Sequence, residues 1–277
     1  MISIIIPSKN EQYLEKTIRS VLENATGEIE VLPVLDGYEP PEIINDPRVH
    51  YLRVNSIGMR AAISAAAAIA KGEYLMKLDA HCMVAKDFDE VLAADCKDNW
   101  VVIPRRFRLD PENWSIIEEK GIVDYEHFIY PKKFNPISLH GWRWSERQEA
   151  RKDILVDDTL TFQGSCWFMT KKHFEQNKFL QVDGYNGMPQ QEAEEIGLTT
   201  WLGGGRVITN KKTWYAHYRK PSDGRGYFLP LNLTRGCYEY SYNHWVNEHK
   251  EGFIKLIEKF WPIPGWPNDW KEQLWSR

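Results

Sequence analysis

Gly72-Glu73-Tyr74-Leu75-Met76-Lys77-Leu78-Asp79-Ala80-His81-Cys82 is an apolar run that ends in an acid and an imidazole two positions apart. The run from Glu73 to Leu78 is short and bounded by a glycine, which predicts a strand buried in a sheet. Asp79-Ala80-His81 then falls where that strand emerges. A carboxylate and an imidazole there offer a compact oxygen-plus-nitrogen site for a divalent cation. Such a donor pair suits Mn²⁺ or another borderline ion better than Ca²⁺, with Mg²⁺ as the alternative. The competing reading is a strand end capped by a polar turn.

Strand and helix alternate on either side of this stretch. Ile2 to Ile6 is a β-branched run broken only by Ser3, the mark of a strand buried on both faces. Glu11 to Glu23 places Leu14, Ile18, Val21 and Leu22 at helical spacing. Ile29 to Leu35 reads as a strand ended by Asp36-Gly37, Val49 to Val54 and Val101 to Ile103 as short strands, and Gly58 to Ala70 as an alanine-rich helix. The alternation predicts an α/β fold with a Rossmann-like, mainly parallel central sheet flanked by helices. Ligands of such sheets bind at the carboxyl ends of the strands. Pro7-Ser8-Lys9-Asn10, Asp36-Gly37 and Asp79-Ala80-His81 all lie there. Neither GxGxxG nor GxxxxGK[ST] occurs, so a phosphate ligand would need a metal or basic side chains.

The pattern breaks over 105–158, where Arg105-Arg106, Lys132-Lys133 and Arg143 to Lys152 interleave with Trp114, Tyr125, Phe128, Tyr130, Trp142 and Trp144. This basic-aromatic insertion reads equally as an acceptor-binding surface or as an excursion with its own small core. Regular structure resumes with a strand over Thr159 to Thr170, a helix over Glu192 to Trp201, and strands over Arg206 to Thr209 and Thr213 to His217. Lys220 to Gly226 reads as a loop. Helices over roughly 236–249 and 251–260 and an irregular, aromatic Trp261 to Pro267 form a C-terminal helical extension. The expected organisation is a catalytic domain over 1–230 and the extension over 231–277. The domain divides into a nucleotide-binding half over 1–104, the insertion over 105–158, and an acceptor and metal half over 159–230.

Composition narrows the class. Apolar residues make up 43% of the 277, enough for a sizeable core, and the net charge of -4 does not announce a nucleic-acid binder. Four scattered cysteines form no CxxC pair, so reduced thiols are expected. The apolar start at residues 1–7 is too short for a signal peptide or a membrane span. A cytoplasmic, bacterial or phage-encoded enzyme is the expectation.

The order of the motifs resembles the GT-A glycosyltransferases. Ile4-Ile5-Ile6-Pro7-Ser8-Lys9-Asn10-Glu11 is similar to the opening strand of the family 2 enzymes, and Ala70-Lys71-Gly72-Glu73-Tyr74 to the lead-in to their Asp-x-Asp. The Asp-x-His form, Asp79-Ala80-His81-Cys82, resembles that of the polypeptide N-acetylgalactosaminyltransferases. So do Asp183-Gly184-Tyr185, Glu192-Ala193-Glu194-Glu195 with Trp201-Leu202-Gly203-Gly204, Ala216-His217, Tyr227-Phe228 and Trp245 to Glu248. The chain departs from that family at Pro189-Gln190-Gln191 and His217-Tyr218-Arg219-Lys220, and neither a lectin domain nor a membrane stem is expected.

The resemblance implies a metal-dependent transferase that moves a hexosyl or N-acetylhexosaminyl group from a UDP-sugar to an acceptor hydroxyl. Asp79, His81 and His217 would hold the metal. Pro7, Lys9, Asn10, Glu11, Asp36, Arg60, Lys77, Gly164, Tyr227 and either Arg219 or Lys220 would join Asp79 around the donor, with Glu192 and Glu195 as catalytic candidates. Ala193 stands where inverting family 2 enzymes usually carry a catalytic Asp. That favours retention of configuration, with an inverting enzyme using Glu192 as base as the alternative. The acceptor stays open between a protein, a glycan and a modified nucleic acid such as a hydroxymethylated DNA base. A sugar-nucleotide-forming nucleotidyltransferase and an inactive nucleotide-sugar-binding module are the competing classes.

Overall fold

Alternate residues of the first strand serve opposite faces of the sheet. In this computed structural model, which describes residues 1–132, 137–221 and 228–275, that strand is β1 (Ile2–Ser8). It is followed by α1 (Leu14–Asn24), β2 (Ile29–Asp36), β3 (Leu52–Val54), α2 (Met59–Ile69), β4 (Tyr74–Leu78), β5 (Cys82–Val84) and α3 (Phe88–Asp95). Ile4 and Ile6 pack with Ile18 and Val21 of α1 and with Phe88 and Leu92 of α3. Ile5 faces the other way, into the layer that holds Ala62, Ile63 and Ala66 of α2. The small side chains of α2 let it lie close to the sheet. Burial on both faces is what the isoleucine-rich run demands.

The chain continues through β6 (Trp100–Asp110), β7 (Ser115–Ile116), β8 (Glu126–Phe128), β9 (Gly141–Arg143), α4 (Ser145–Ala150), β10 (Val156–Asp158), β11 (Cys166–Thr170), α5 (Lys171–Gln176), α6 (Glu192–Leu202) and β12 (Arg206–His217). It closes with α7 (Leu231–Ser241), a π-helical continuation over Tyr242–Glu248, α8 (Lys250–Phe260) and α9 (Trp270–Trp275). The large sheet runs β10-β12-β6-β11-β4-β1-β2-β3. Its β4-β1-β2-β3 half and its β12–β6 pair are parallel, so the sheet is mostly parallel, as expected. β11 is antiparallel to both β4 and β6. It re-enters from the edge at which β6 ends, so it needs no crossover helix, and it brings Gly164 and Ser165 to the edge where Asp79 emerges.

Three differences from the sequence reading have clear causes. β6 extends to Asp110 rather than ending at Ile103, because its charged second half pairs with β12, and Arg105 and Arg106 find partners in Asp124 and Glu126. The two strands expected over 206–217 are one, with a register irregularity between Asn210 and Trp214. Only Cys166–Thr170 of the strand expected over 159–170 is regular. Tyr125, Phe128, Tyr130 and Trp144 of the insertion share one core with Phe253, Trp266 and Trp270 of the extension, and Trp266 Nε1 donates to the Phe128 carbonyl at 2.8 Å. Those aromatics are structural, while Trp142 stays 57% exposed. All four cysteines are free. Among the described residues no helix is long and apolar enough to cross a membrane.

His173 on α5 is buried, with Nε2 3.1 Å from Thr200 Oγ1. Burial pushes its imidazole down from 6.5 to about 4. A depressed histidine stabilises the fold above pH 6.5 and loses that contribution as pH falls towards about 4. His173→Gln should therefore flatten the fall of the melting temperature over that window, and an unchanged profile would show that His173 does not drive it.

Candidate active site

Strand pairing assembles the site. β5 pairs antiparallel with β12, setting His217 opposite Cys82, and the Tyr218 amide donates to the His81 carbonyl at 3.1 Å. The Asp79 amide donates to the Ser165 carbonyl at 2.8 Å. The three side chains selected as metal ligands therefore converge. His217 Nε2 lies 3.1 Å from His81 Nε2 and 3.4 Å from Asp79 Oδ2, and the last two are 4.0 Å apart.

The donor set fits a borderline divalent ion. Asp79, His81 and His217 each offer one ligand atom, and these atoms lie within 4.8 Å of one another. Glu11 Oε2 sits 2.8 Å from His81 Nδ1. A carboxylate only accepts, so His81 donates through Nδ1 and turns the Nε2 lone pair towards the cluster. Burial would raise the Glu11 carboxyl, but His81 and Lys220 outweigh it and hold it below its usual range. Burial pushes the His217 imidazole down to about 4, against the pull of Asp79, so the ring is neutral at pH 7, as a ligand must be. Burial also acts to raise Asp79, yet Lys77 and the two imidazoles hold it well below the usual carboxylate range.

Lys77 links this cluster to α6. It is 1% exposed, donates to Asp79 Oδ1 at 2.6 Å and to the Gly164 carbonyl, and lies 3.5 Å from Glu192 Oε2. Burial would lower its ammonium, but Asp79 and Glu192 raise it above its ordinary value. Glu192 also accepts from Trp167 Nε1 at 2.8 Å. Gly164 is needed for close approach, since a Cβ there would lie 3.0 Å from Glu192 Oε2.

The other selected residues fall into separate networks. Pro7, Lys9, Asn10 and Glu11 line the end of β1, where Asn10 adopts φ 50°, a conformation asparagine tolerates. Asp36 accepts from the amides of Ile57 at 2.6 Å and Gly58 at 3.1 Å, and pairs with Lys9 at 3.7 Å. Arg60 is buried against Glu195 and donates to the carbonyls of Met188 at 2.5 Å and Gln190 at 2.9 Å. Glu195 also accepts from the Leu180 amide. Thus Arg60 and Glu195 form a buried clamp apart from the metal cluster, and Glu192 alone of the two glutamates reaches it, through Lys77. Lys220 bonds Glu11 and so stands beside His81, whereas Arg219 is exposed. Tyr227 lies outside the described residues.

Sequence reading did not select Trp167, Arg106 or Gln163, although Arg106 donates to Gln163 at 2.6 Å and to Glu126 at 2.7 Å next to Gly164. It selected Glu11 for the donor, and the structure sets the Glu11 carboxylate against the His81 ring. Loss of a partner that orients a metal-bound histidine commonly costs about 10–100-fold in metal affinity. Glu11→Ala should weaken Mn²⁺ binding by that order, read by electron paramagnetic resonance, with Glu11→Gln recovering part of it. Unchanged Mn²⁺ affinity would remove Glu11 from this role.

A strand-end Asp-x-His with a second histidine beside it, on a sheet of this order, is the arrangement of a glycosyltransferase of the GT-A type. The glycosyl transferase family 2 model matches residues 3–177, and the chain belongs to that family. A crystal structure of GalNAc-T7 with UDP, GalNAc and Mn²⁺ has a similar fold, with a TM-score of 0.70 at 19% identity. The match covers 99% of this chain and 54% of that one, so the chain spans about half its length. No curated protein matches the sequence.

Proposed function

We propose that this protein is a metal-dependent glycosyltransferase that moves a sugar from a UDP-sugar to an acceptor hydroxyl with retention of configuration. The observation that carries it is the convergence of Asp79, His81 and His217 at the carboxyl edge of the sheet. The likeness to a protein crystallised with UDP, GalNAc and Mn²⁺ supports a uridine donor and that metal.

Asp79, His81 and His217 would hold the ion, which when bound supplies Lewis-acid neutralisation of a diphosphate leaving group. Lys77 keeps Asp79 ionised, and Glu11 fixes the His81 ring. Of the two candidate cations, Lys220 would serve the diphosphate, a reading supported by its sharing Glu11 with His81. Asp36 acts through the turn at Ile57 and Gly58 that it holds. Glu192 is committed to Lys77 and Trp167 and is not free to take a proton from an acceptor, which favours retention over an inverting base. Glu195 acts as a positioning residue, with Arg60. The catalytic unit spans 1–230, and the extension over 231–277 supports it through the shared aromatic core.

The test is donor hydrolysis over a panel of nucleotide sugars, with and without Mn²⁺. Turnover of a UDP-sugar that needs the metal is expected. No turnover and no metal-dependent UDP binding would overturn the reading. Nuclear magnetic resonance of the product anomer should show retention, and inversion would overturn that part alone.

A further inference from the structure

Tyr218 follows one candidate metal ligand in the chain and packs on another. It stands one residue past His217, its amide donates to the His81 carbonyl at 3.1 Å, and its ring meets the His81 ring edge-on with centroids 6.3 Å apart. The same ring meets Tyr13 edge-on at 5.6 Å, and Tyr13 in turn stacks on Trp114 at 6.0 Å. These separations and angles are the ones aromatic pairs prefer. Tyr13 directly precedes α1, and its amide donates to Glu11 Oε1 at 3.1 Å, while Oε2 of that carboxylate faces His81 Nδ1 at 2.8 Å. The stack therefore meets His81 twice, through the Tyr218 ring and through Glu11. The His81 and His217 rings beside it lie with centroids 5.0 Å apart and planes at 33°.

Two observations set this stack apart from ordinary surface packing. Its three rings are half-buried and belong to none of the hydrophobic cores among the described residues, and α1 is already held on the sheet by Leu14, Ile18 and Val21. Trp114 adopts φ 50°, a left-handed conformation that a bulky residue seldom takes and that persists only where its surroundings impose it. Asp110 closes the turn that leads into it, accepting from the Glu112 amide at 2.9 Å and from Asn113 Nδ2 at 2.8 Å. Lys16 fastens the turn to α1, donating to the Pro111 carbonyl at 3.4 Å with its ammonium 5.2 Å from the Trp114 ring centroid. We propose that Tyr13, Trp114 and Tyr218 form an aromatic brace that fixes the His81 and His217 rings relative to each other, so that metal affinity depends on Trp114 although two rings separate it from His81. All three are positioning residues, a role that rests on the metal reading above. Tyr218 touches both neighbours through its ring, so phenylalanine can take its place.

The experiment is Mn²⁺ titration followed by electron paramagnetic resonance, with melting of the metal-free proteins alongside. It compares the wild type with Trp114→Leu, Tyr218→Leu, Tyr218→Phe and, as a control, Trp142→Leu, which removes an exposed tryptophan outside the stack. Trp114→Leu and Tyr218→Leu should bind Mn²⁺ about tenfold more weakly, the low end of the loss that follows removal of a partner orienting a metal-bound histidine. Tyr218→Phe and Trp142→Leu should stay within about twofold of wild type, because neither takes a ring out of the stack. Metal-free melting should be alike in all of them, since the brace lies outside the cores. A loss of Mn²⁺ affinity that comes only with lower metal-free melting, or that the Trp142→Leu control shares, overturns the brace. An equal loss in Tyr218→Phe and Tyr218→Leu also overturns it, because the hydroxyl would then carry the effect. If Trp114→Leu fails to fold, Tyr218→Leu against Tyr218→Phe decides. Mn²⁺ binding by the wild type with no loss in the leucine variants overturns the brace alone, whereas a wild type that binds no Mn²⁺ overturns the metal reading and the brace with it.

Discussion

His217→Ala should lower kcat/KM for Mn²⁺-dependent donor turnover by about a thousandfold or more, because metal stabilisation of a leaving group amounts to several kcal/mol. The histidine closes a three-atom donor set whose other members come from a turn 136 residues away in sequence. Without it, Asp79 and His81 supply only one oxygen and one nitrogen, and a second imidazole no longer faces the carboxylate. The ring stands at the last residue of β12, and its partners are the cluster itself, so the fold should survive the change. His81→Ala should behave alike. Activity within tenfold of wild type, with melting unchanged, would show that His217 is not a ligand.

Arg60→Met should destabilise the protein by about 3–5 kcal/mol, the range for removing one member of a buried ion pair. Arg60 is 2% exposed and Glu195 1%. The substitution strands a buried carboxylate and takes donors from the carbonyls of Met188 and Gln190. It also removes a guanidinium 4.3 Å from the centroid of the Tyr185 ring. Those carbonyls belong to the segment that leads into α6, so the loss should reach Glu192 and activity as well. Urea unfolding measures the effect. Arg60→Met with Glu195→Gln should recover part of it, since the second change removes the stranded charge. A single-variant loss below about 1 kcal/mol would place this pair among weak surface bridges.

The elements of the first hundred residues were legible because their patterning is local. Ile2 to Ile6 and Leu75 to Leu78 are apolar but for Ser3 and Lys77 whichever strands flank them, and Leu14, Ile18 and Val21 mark a helix face by spacing alone. The trio Asp79, His81 and His217 was legible for a different reason, since two members stand two positions apart in sequence and the third falls in a family-like motif. What stayed hidden depends on register. Arg106 and Arg108 look like part of a charged loop until β6 is paired with β12. Arg60 at the start of an alanine-rich helix is similar to a donor contact until Glu195 is seen against it. Glu11 reads as part of an opening motif, and only the structure shows that it faces the His81 ring. The insertion's aromatics divide in the same way, with Tyr125 and Phe128 in the core and Trp142 outside it.

The account stands on a metal-dependent donor site at Asp79, His81 and His217. Calorimetric titration of UDP into the wild-type protein, with Mn²⁺ and then with excess chelator, tests it most directly. UDP should bind with Mn²⁺ present and lose at least about tenfold in affinity, roughly 1.4 kcal/mol, when the metal is removed. Equal affinity in both titrations would contradict the account.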